Sequence, residues 1–385
     1  MHLTFFNSGN LRVGRGSEQV LLNLVKNKPK NINITIVQTD ASDFERLSQS
    51  DVDQIIKGCE LITIRTFVNS YRSVFGKYSY LVSKLLFKDV RMAKRGSEYN
   101  RIRDTDFVYL FGNSYSVFFS GLHIPIIGSN HNFDPSYFFS KEKSFFVTKL
   151  HYLLYFLLKI TIFRNINGFH LFPHNKDFIS LMRTKYNFVL SNGVDSTFFH
   201  PAFTGKNKKI KLLFVGALTN GKGLDILIPI MNNMAKMNNI ELHIVGTGPL
   251  EDEIRKINKV IYHGKVNEKE LAEIYSNSDI FFYPSHDDNC PLAVLQALSS
   301  GLYVITGSYL TGVFDDFKEQ GYLEYITLNT KSFYERIKEI ENGTRVPNIN
   351  RMELYDYVRK NYDWKTIAEN FYSKLLEIKK ISKNN

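Results

Sequence analysis

The sequence is short of several things, and each shortage narrows the reading. Only two of the 385 residues are cysteine, Cys59 and Cys290. That excludes a disulfide-stapled scaffold and a cysteine-rich zinc module, and it fits a reducing compartment. Acids are fewer than bases: 38 Asp and Glu stand against 49 Lys and Arg, a net charge of +11. A basic surface calls for an anionic partner, which charge alone leaves open among nucleic acid, a membrane face and a phosphorylated substrate. There is no short-period repeat and no low-complexity tract. The opening Met1–Asn7 is too short an apolar run, without a basic start, for a signal peptide, and it reads as a first strand running into a loop.

What is present is ordinary for a globular chain: 23% charged and 43% hydrophobic residues, with 31 Phe and 22 Tyr among them. The length asks for two domains. Short β-branched or aromatic runs alternate with helical stretches, the mark of βαβ units and a parallel sheet. Strand candidates in the first half are Leu3–Asn7, Ile32–Gln38, Leu61–Thr66, Phe107–Phe111, Ile124–Ser129, His170–Pro173 and Phe188–Ser191. A polar linker, Thr204–Lys209, follows. The second series is Ile210–Gly216, Glu241–Val245, Val260–Tyr262, Ile280–Tyr283, Tyr303–Thr306 and Leu323–Thr327. The expected domains are 1–200 and 208–360, both Rossmann-like, followed by a terminal helix and tail over 361–385 within a helical stretch Arg351–Lys380.

Two segments concentrate charge and aromatics. Arg65 to Arg103 carries ten Lys and Arg against Asp89 and Glu98, interleaved with Tyr71, Phe75, Tyr78, Tyr80 and Phe87. Phe145 to Phe163 is apolar apart from Thr148, Lys149, His151, Lys159 and Thr161, and is about as long as a membrane span. Each lysine would cost about 2.5–3.5 kcal/mol near a bilayer centre, so the segment reads as a helix beside the sheet or one lying on a membrane surface.

Three loops carry candidate chemistry. Gly14-Arg15-Gly16 follows the first strand and precedes a helical run from Gln19, a place where backbone N–H groups meet an anion. It lacks the third glycine of a dinucleotide fingerprint and the Gly-Lys-Ser/Thr of a P-loop. In the second half a strand ends at Gly216, and Lys222 follows just before a helix, at the sheet edge where ligands bind in open α/β folds. Third, Tyr283–Gly301 runs from a strand through a polar loop into a helix. Asn289 is the expected cap, Pro291 the first turn and Gly301 the terminator. Asp288 precedes that helix, Gln296 lies two turns along it, and the N–H groups of Leu292 and Ala293 make an anion site.

Lys222-Gly223 after the first strand of the second half, Val245-Gly246-Thr247-Gly248-Pro249, Pro284-Ser285 and the spacing from Asp288 to Gln296 resemble the family four glycosyltransferases. Asn192-Gly193-Val194-Asp195, His263-Gly264-Lys265-Val266 and Trp364 also match, and the likeness is strongest from Ser191 to Gly301. The resemblance implies the GT-B fold: α/β, two Rossmann-like domains facing across a cleft, with a C-terminal helix crossing back. It implies a retaining, hexosyl-type transferase using a nucleotide diphosphate sugar as donor, with no cofactor and no metal.

The resemblance also implies roles. Lys222 neutralises the donor diphosphate and Leu292 and Ala293 bind its distal phosphate. Asp288 stands where a glutamate usually holds the sugar hydroxyls, with Asn289 and His131 adding sugar specificity. Gln296 stands where a glutamate usually grips the ribose, Val266 presents backbone groups to the base, and Gly14 and Gly16 let the first domain meet the phosphates. Three positions depart from the pattern. Ala217 replaces an arginine, a loss of about tenfold or more in donor binding unless a cation such as Arg15 substitutes. Asp288 is one methylene short, about 1.5 Å of reach, and Gln296 offers only one accepting end. A binding subunit with weakened catalysis is therefore the alternative reading, and an epimerase or phosphorylase on the same fold is a third. The expected partners are a lipid-linked or saccharide acceptor and an anionic membrane surface, not nucleic acid. The expected location is cytoplasmic, peripheral on the inner face of the membrane.

Overall fold

A computed structural model describes residues 1–14, 16–39, 45, 47–64, 102, 104–111, 119, 123–129, 165–173, 184–202, 209–233, 237–258, 260–286 and 288–383. The segment between Arg65 and Arg101 and the segment 145–163 lie outside these residues, as do Arg15 and His131. The chain divides into two compact units, Met1–Leu190 with Ala368–Asn385, and Ser191–Ile367.

The first unit holds strands β1 (His2–Asn7), β2 (Asn33–Thr39), β3 (Glu60–Ile64), β4 (Phe107–Leu110), β5 (Ile126–Ser129), β6 (Gly168–Leu171) and β7 (Phe188–Val189). They pair in parallel in the order β3-β2-β1-β4-β5-β6-β7. The central strands β4, β5 and β6 are buried along their whole length, and so are mostly apolar, with Ser129 and His170 the polar side chains among them. On one face Phe6 packs edge-on to Phe119, in a core with Val108, Leu110 and Phe169. On the other, Phe5 stacks at 6.1 Å on Phe371 of the terminal helix, whose Tyr372 donates to the Leu24 carbonyl at 2.8 Å.

The second unit repeats the plan with β8 (Ile210–Val215), β9 (Ile240–Val245), β10 (Val260–Gly264), β11 (Ile280–Tyr283), β12 (Tyr303–Gly307) and β13 (Leu323–Ile326). Their order is β10-β9-β8-β11-β12-β13, again all parallel. In both sheets the chain leaves the first strand one way and later returns to its other side. That places a topological switch point between β1 and β4 and another between β8 and β11. Each strand candidate of the sequence is a strand here, with ends moved by a few residues. This is the two-unit α/β architecture of the GT-B fold.

The single helical stretch expected over Arg351–Lys380 is two helices, Arg351–Tyr362 and Trp364–Lys383. Asp363 between them is extended, with φ −61° and ψ 142°. Tertiary contacts impose the break. Val194 bridges to Asp363 through Val194 N–H to the Tyr362 carbonyl (2.9 Å) and Trp364 N–H to the Val194 carbonyl (3.0 Å). Asp363 also accepts the Ser196 hydroxyl at 2.5 Å. The motif glycine Gly193 lies where a Cβ would come within 2.7 Å of the Trp364 ring. Among the described residues, no helix is long and apolar enough to cross a membrane.

His170 on β6 is buried, with Nδ1 2.6 Å from the Tyr109 hydroxyl and Nε2 3.0 Å from the Leu190 carbonyl. A carbonyl only accepts, so Nε2 carries the proton and Nδ1 accepts from Tyr109. The ring is neutral, and burial lowers its pKa from 6.5 to about 4. Because the folded pKa lies below the unfolded one, this group costs nothing above about pH 6.5. As pH falls from there towards 4 the unfolded chain binds the extra proton, and roughly 3 kcal/mol of stability is lost. Denaturant titrations across this range should show that slope for the wild type and a flatter one for His170→Gln. Equal slopes would contradict the assignment.

Candidate active site

The site grows from the loops after β8 and β11, the two strands flanking the switch point of the second sheet. After β8 the chain makes a turn over Asn220–Lys222 and reaches Gly223 with φ 86°. A Cβ there would lie 2.1 Å from the Pro284 carbonyl oxygen, so only glycine lets this loop meet the loop after β11. His286 N–H donates to the Gly221 carbonyl at 2.9 Å and ties the two loops together. The turn after β9 closes from the other side. A Cβ on Gly246 would sit 1.9 Å from the Gly216 carbonyl oxygen. The turn glycines of the sequence are thus packing requirements of one sheet edge.

This contact brings Lys222 to Asp288, with Nζ 2.6 Å from Oδ1. The side chains are 26% and 17% exposed, so the pair is only partly screened by solvent. The other carboxylate oxygen, Oδ2, accepts from the Ser285 hydroxyl at 2.6 Å and the Tyr283 hydroxyl at 2.7 Å. Burial, and next the Asp288 charge, push the Tyr283 phenol well above its usual pKa, so it stays a donor. Tyr283 and Ser285 had no role in the sequence reading. Their signal was position: one ends β11 and the other follows it by two residues.

Leu292–Ser299 is the helix beyond this loop. Its N-cap is Pro291, φ −67° and ψ 125°, with no side-chain cap and no acid in the first turn. This corrects the expectation that Asn289 caps the helix and Pro291 opens it. Asn289 comes two residues too early, and the extended Pro291 makes the entry by itself. Val294 N–H already reaches the Pro291 carbonyl (3.2 Å), so the first-turn amides ahead of it, on Leu292 and Ala293, are those an anion would meet. The helix ends as expected. Gly301 (φ 74°) N–H donates to Leu298 and Leu302 N–H to Ala297, both at 3.0 Å, a paired C-terminal closure. Gln296 takes the Tyr275 hydroxyl on Oε1 at 3.4 Å. Cys290 is buried, burial raises its thiol to about 11, and Asn192 donates to its carbonyl at 2.8 Å. It is a packing residue.

Val266 lies past the end of β10, lining a cavity of about 620 Å³ with His243, His263, Lys265 and Glu270. His243 Nδ1 and His263 Nε2 are 3.0 Å apart, with ring planes 18° apart and centroids 5.2 Å apart. That geometry is two nearly coplanar rings sharing one proton end to end. Burial holds both below the usual histidine pKa. In the first unit Gly14 has φ 60° and Gly16 opens the helix Gly16–Lys26, ahead of the expected start at Gln19. The first turn of this helix already contains a carboxylate. Glu18 is 5% exposed and accepts from Asn7 Nδ2 at 3.2 Å. The two acids of Asp104-Thr105-Asp106 belong to a turn, where Asp106 takes His2 N–H (2.9 Å) and the Lys379 ammonium (2.6 Å).

Lys222, Asp288, Leu292, Ala293 and Gln296 therefore gather on two adjoining loops and one helix of Ser191–Ile367. Residues 195–361 match the family model for glycosyl transferases group 1. This region resembles a group 1 glycosyl transferase domain. A curated relative, the sulfoquinovosyl transferase of Arabidopsis thaliana, is 27% identical over 199 residues, 48% of this chain and 38% of its own length. A phosphatidylinositol N-acetylglucosaminyltransferase component of the same plant is 22% identical over 192 residues, 47% of this chain and 42% of its own length. The match thus spans less than half of each of these relatives. An Anabaena protein, Alr3699/HepE, solved with UDP and glucose, superposes with a TM-score of 0.69 at 13% identity over 98% of this chain and 100% of its own. That likeness is one of fold.

Gly223→Ala tests the contact between these two loops. The added methyl meets a backbone oxygen in a left-handed turn, so the variant should lose about 2–4 kcal/mol and melt well below the wild type. A wild-type melting curve would show that the loops do not need this approach.

Proposed function

We propose that the protein transfers a sugar from a nucleotide diphosphate sugar to an acceptor hydroxyl with retention of configuration. One observation carries the reading: a lysine held by a carboxylate stands at the switch point of the sheet, next to a helix that starts without a side-chain cap. Such a site suits a diphosphate.

The bond that breaks joins the anomeric carbon to the distal phosphate oxygen. Positive charge grows on the sugar ring and negative charge on the leaving diphosphate. Lys222 and the N–H groups of Leu292 and Ala293 stabilise that negative charge, and because they are fixed in advance they need little reorganisation. The acceptor hydroxyl attacks on the face the leaving group vacates, and its proton passes to the departing phosphate. No carboxylate nucleophile and no metal are needed in this scheme. Val266 and the cavity beside it receive the base, and Gln296 the ribose. Arg15 and His131 keep the roles the resemblance gave them.

The acceptor is a lipid-linked saccharide or polysaccharide precursor, bound at the inner face of an anionic membrane. The support is the basic and aromatic sequence between Arg65 and Arg103, and a curated relative whose name includes phosphatidylinositol.

Incubation with a panel of nucleotide sugars and lipid acceptors should release nucleoside diphosphate. Lys222→Ala should lower kcat by about 10²–10³, the scale for losing one charge-stabilising donor. No release from any donor, or no effect of Lys222→Ala, would refute the reading. Gln296→Glu gives a second check. A carboxylate accepts from both ribose hydroxyls where the amide has one accepting end, so donor KM should fall about tenfold. An unchanged or higher KM would remove Gln296 from the ribose.

A further inference from the structure

We propose that Asp288 positions Lys222 and does not hold the hydroxyls of the donor sugar. This rests on the transferase reading and departs from what the family resemblance assigns to that position. A carboxylate offers about four acceptor directions. Tyr283 and Ser285 fill both on Oδ2, and Lys222 takes one on Oδ1. The carboxylate also cannot turn. Tyr283 is 3% exposed, stacked against Phe214 at 6.1 Å and Phe281 at 5.5 Å. Ser285 is 1% exposed and also reaches the Gly221 carbonyl at 3.3 Å, on the turn that carries Lys222. Rotating Asp288 towards a sugar would break two buried hydrogen bonds and the ion pair together.

The shorter side chain now has a purpose. Asp in place of Glu keeps the carboxylate close to its own loop, where Tyr283 and Ser285 reach it. It then acts on Lys222 from a fixed point. An ammonium has three donors, and the bond to Asp288 fixes the direction of the others. The ligand feature that depends on Asp288 is therefore the diphosphate, and selection among sugars lies with other residues.

Affinity for nucleoside diphosphates without a sugar separates these roles. The probes are UDP, GDP and ADP, each measured by calorimetry beside the corresponding nucleotide sugars. Asp288→Asn should weaken the preferred nucleoside diphosphate about tenfold and its nucleotide sugar by the same factor, leaving the preference among sugars unchanged. Asp288→Glu should recover part of the loss, since it keeps the charge. Tyr283→Phe and Ser285→Ala should move affinity the same way by less. Adding Asp288→Asn to Lys222→Ala should cost nothing further. Thermal melting confirms that each variant is folded. If Asp288→Asn leaves nucleoside diphosphate affinity intact and weakens only the nucleotide sugars, Asp288 holds the sugar and the proposal is wrong. If the wild type binds none of the three nucleoside diphosphates, the transferase reading fails, and this one fails with it.

Discussion

The chemistry of the second unit depends on how closely two loops approach. Gly223 passes against the Pro284 carbonyl with no room for a side chain, and Lys222 and Asp288 flank that point of contact. A left-handed turn at Gly223 carries the lysine over the end of β8, and the loop after β11 brings the carboxylate beneath it. Neither charge is costly in this position, because each compensates the other and both keep some solvent. The polar groups around them are matched: two hydroxyls and one ammonium serve one carboxylate. The pair is thus part of the packing of the sheet edge.

Sheet order is what makes that contact possible. β8 and β11 are neighbours, with Leu212 beside Ile280 and Leu213 beside Phe281. Both run parallel, so their carboxyl ends open on the same edge. The following helix, Leu292–Ser299, starts from that edge and adds its first amides to the ammonium. The first unit uses the same order, and the helix after its first strand begins with Glu18 hydrogen-bonded to Asn7, as the counterpart after β8, Leu224–Asn233, begins with Asp225. The helix starts after the first strand of each sheet thus carry a carboxylate, whereas the start after β11 carries none. An anion is favoured at the latter.

The strands were legible because parallel strands covered on both faces must be continuous apolar runs, as Ile280-Phe281-Phe282-Tyr283 is. The placement of Lys222, Leu292 and Ala293 was legible, because turn glycines and a helix start mark the carboxyl edge of a sheet. The contact between Lys222 and Asp288 was not. The residues are 66 positions apart and meet only because β11 returns beside β8. Of the misjudged helix boundaries, one is set by distant partners and one by local backbone geometry. Val194 and Ser196 break the terminal helix at Asp363, and no local pattern shows that. Pro291 takes the cap expected of Asn289 because its own backbone angles suffice. The roles of Tyr283 and Ser285 come from a hydrogen-bond network, which spacing does not encode.

The central claim is that a donor diphosphate lies against Lys222 and the first turn of Leu292–Ser299. A crystal structure with the preferred nucleoside diphosphate tests it most directly. The account predicts a phosphate oxygen within hydrogen-bond distance of Lys222 Nζ and another on the N–H groups of Leu292 and Ala293, with Asp288 still bonded to Tyr283 and Ser285. Phosphates bound elsewhere, with the Lys222–Asp288 pair untouched, would contradict it.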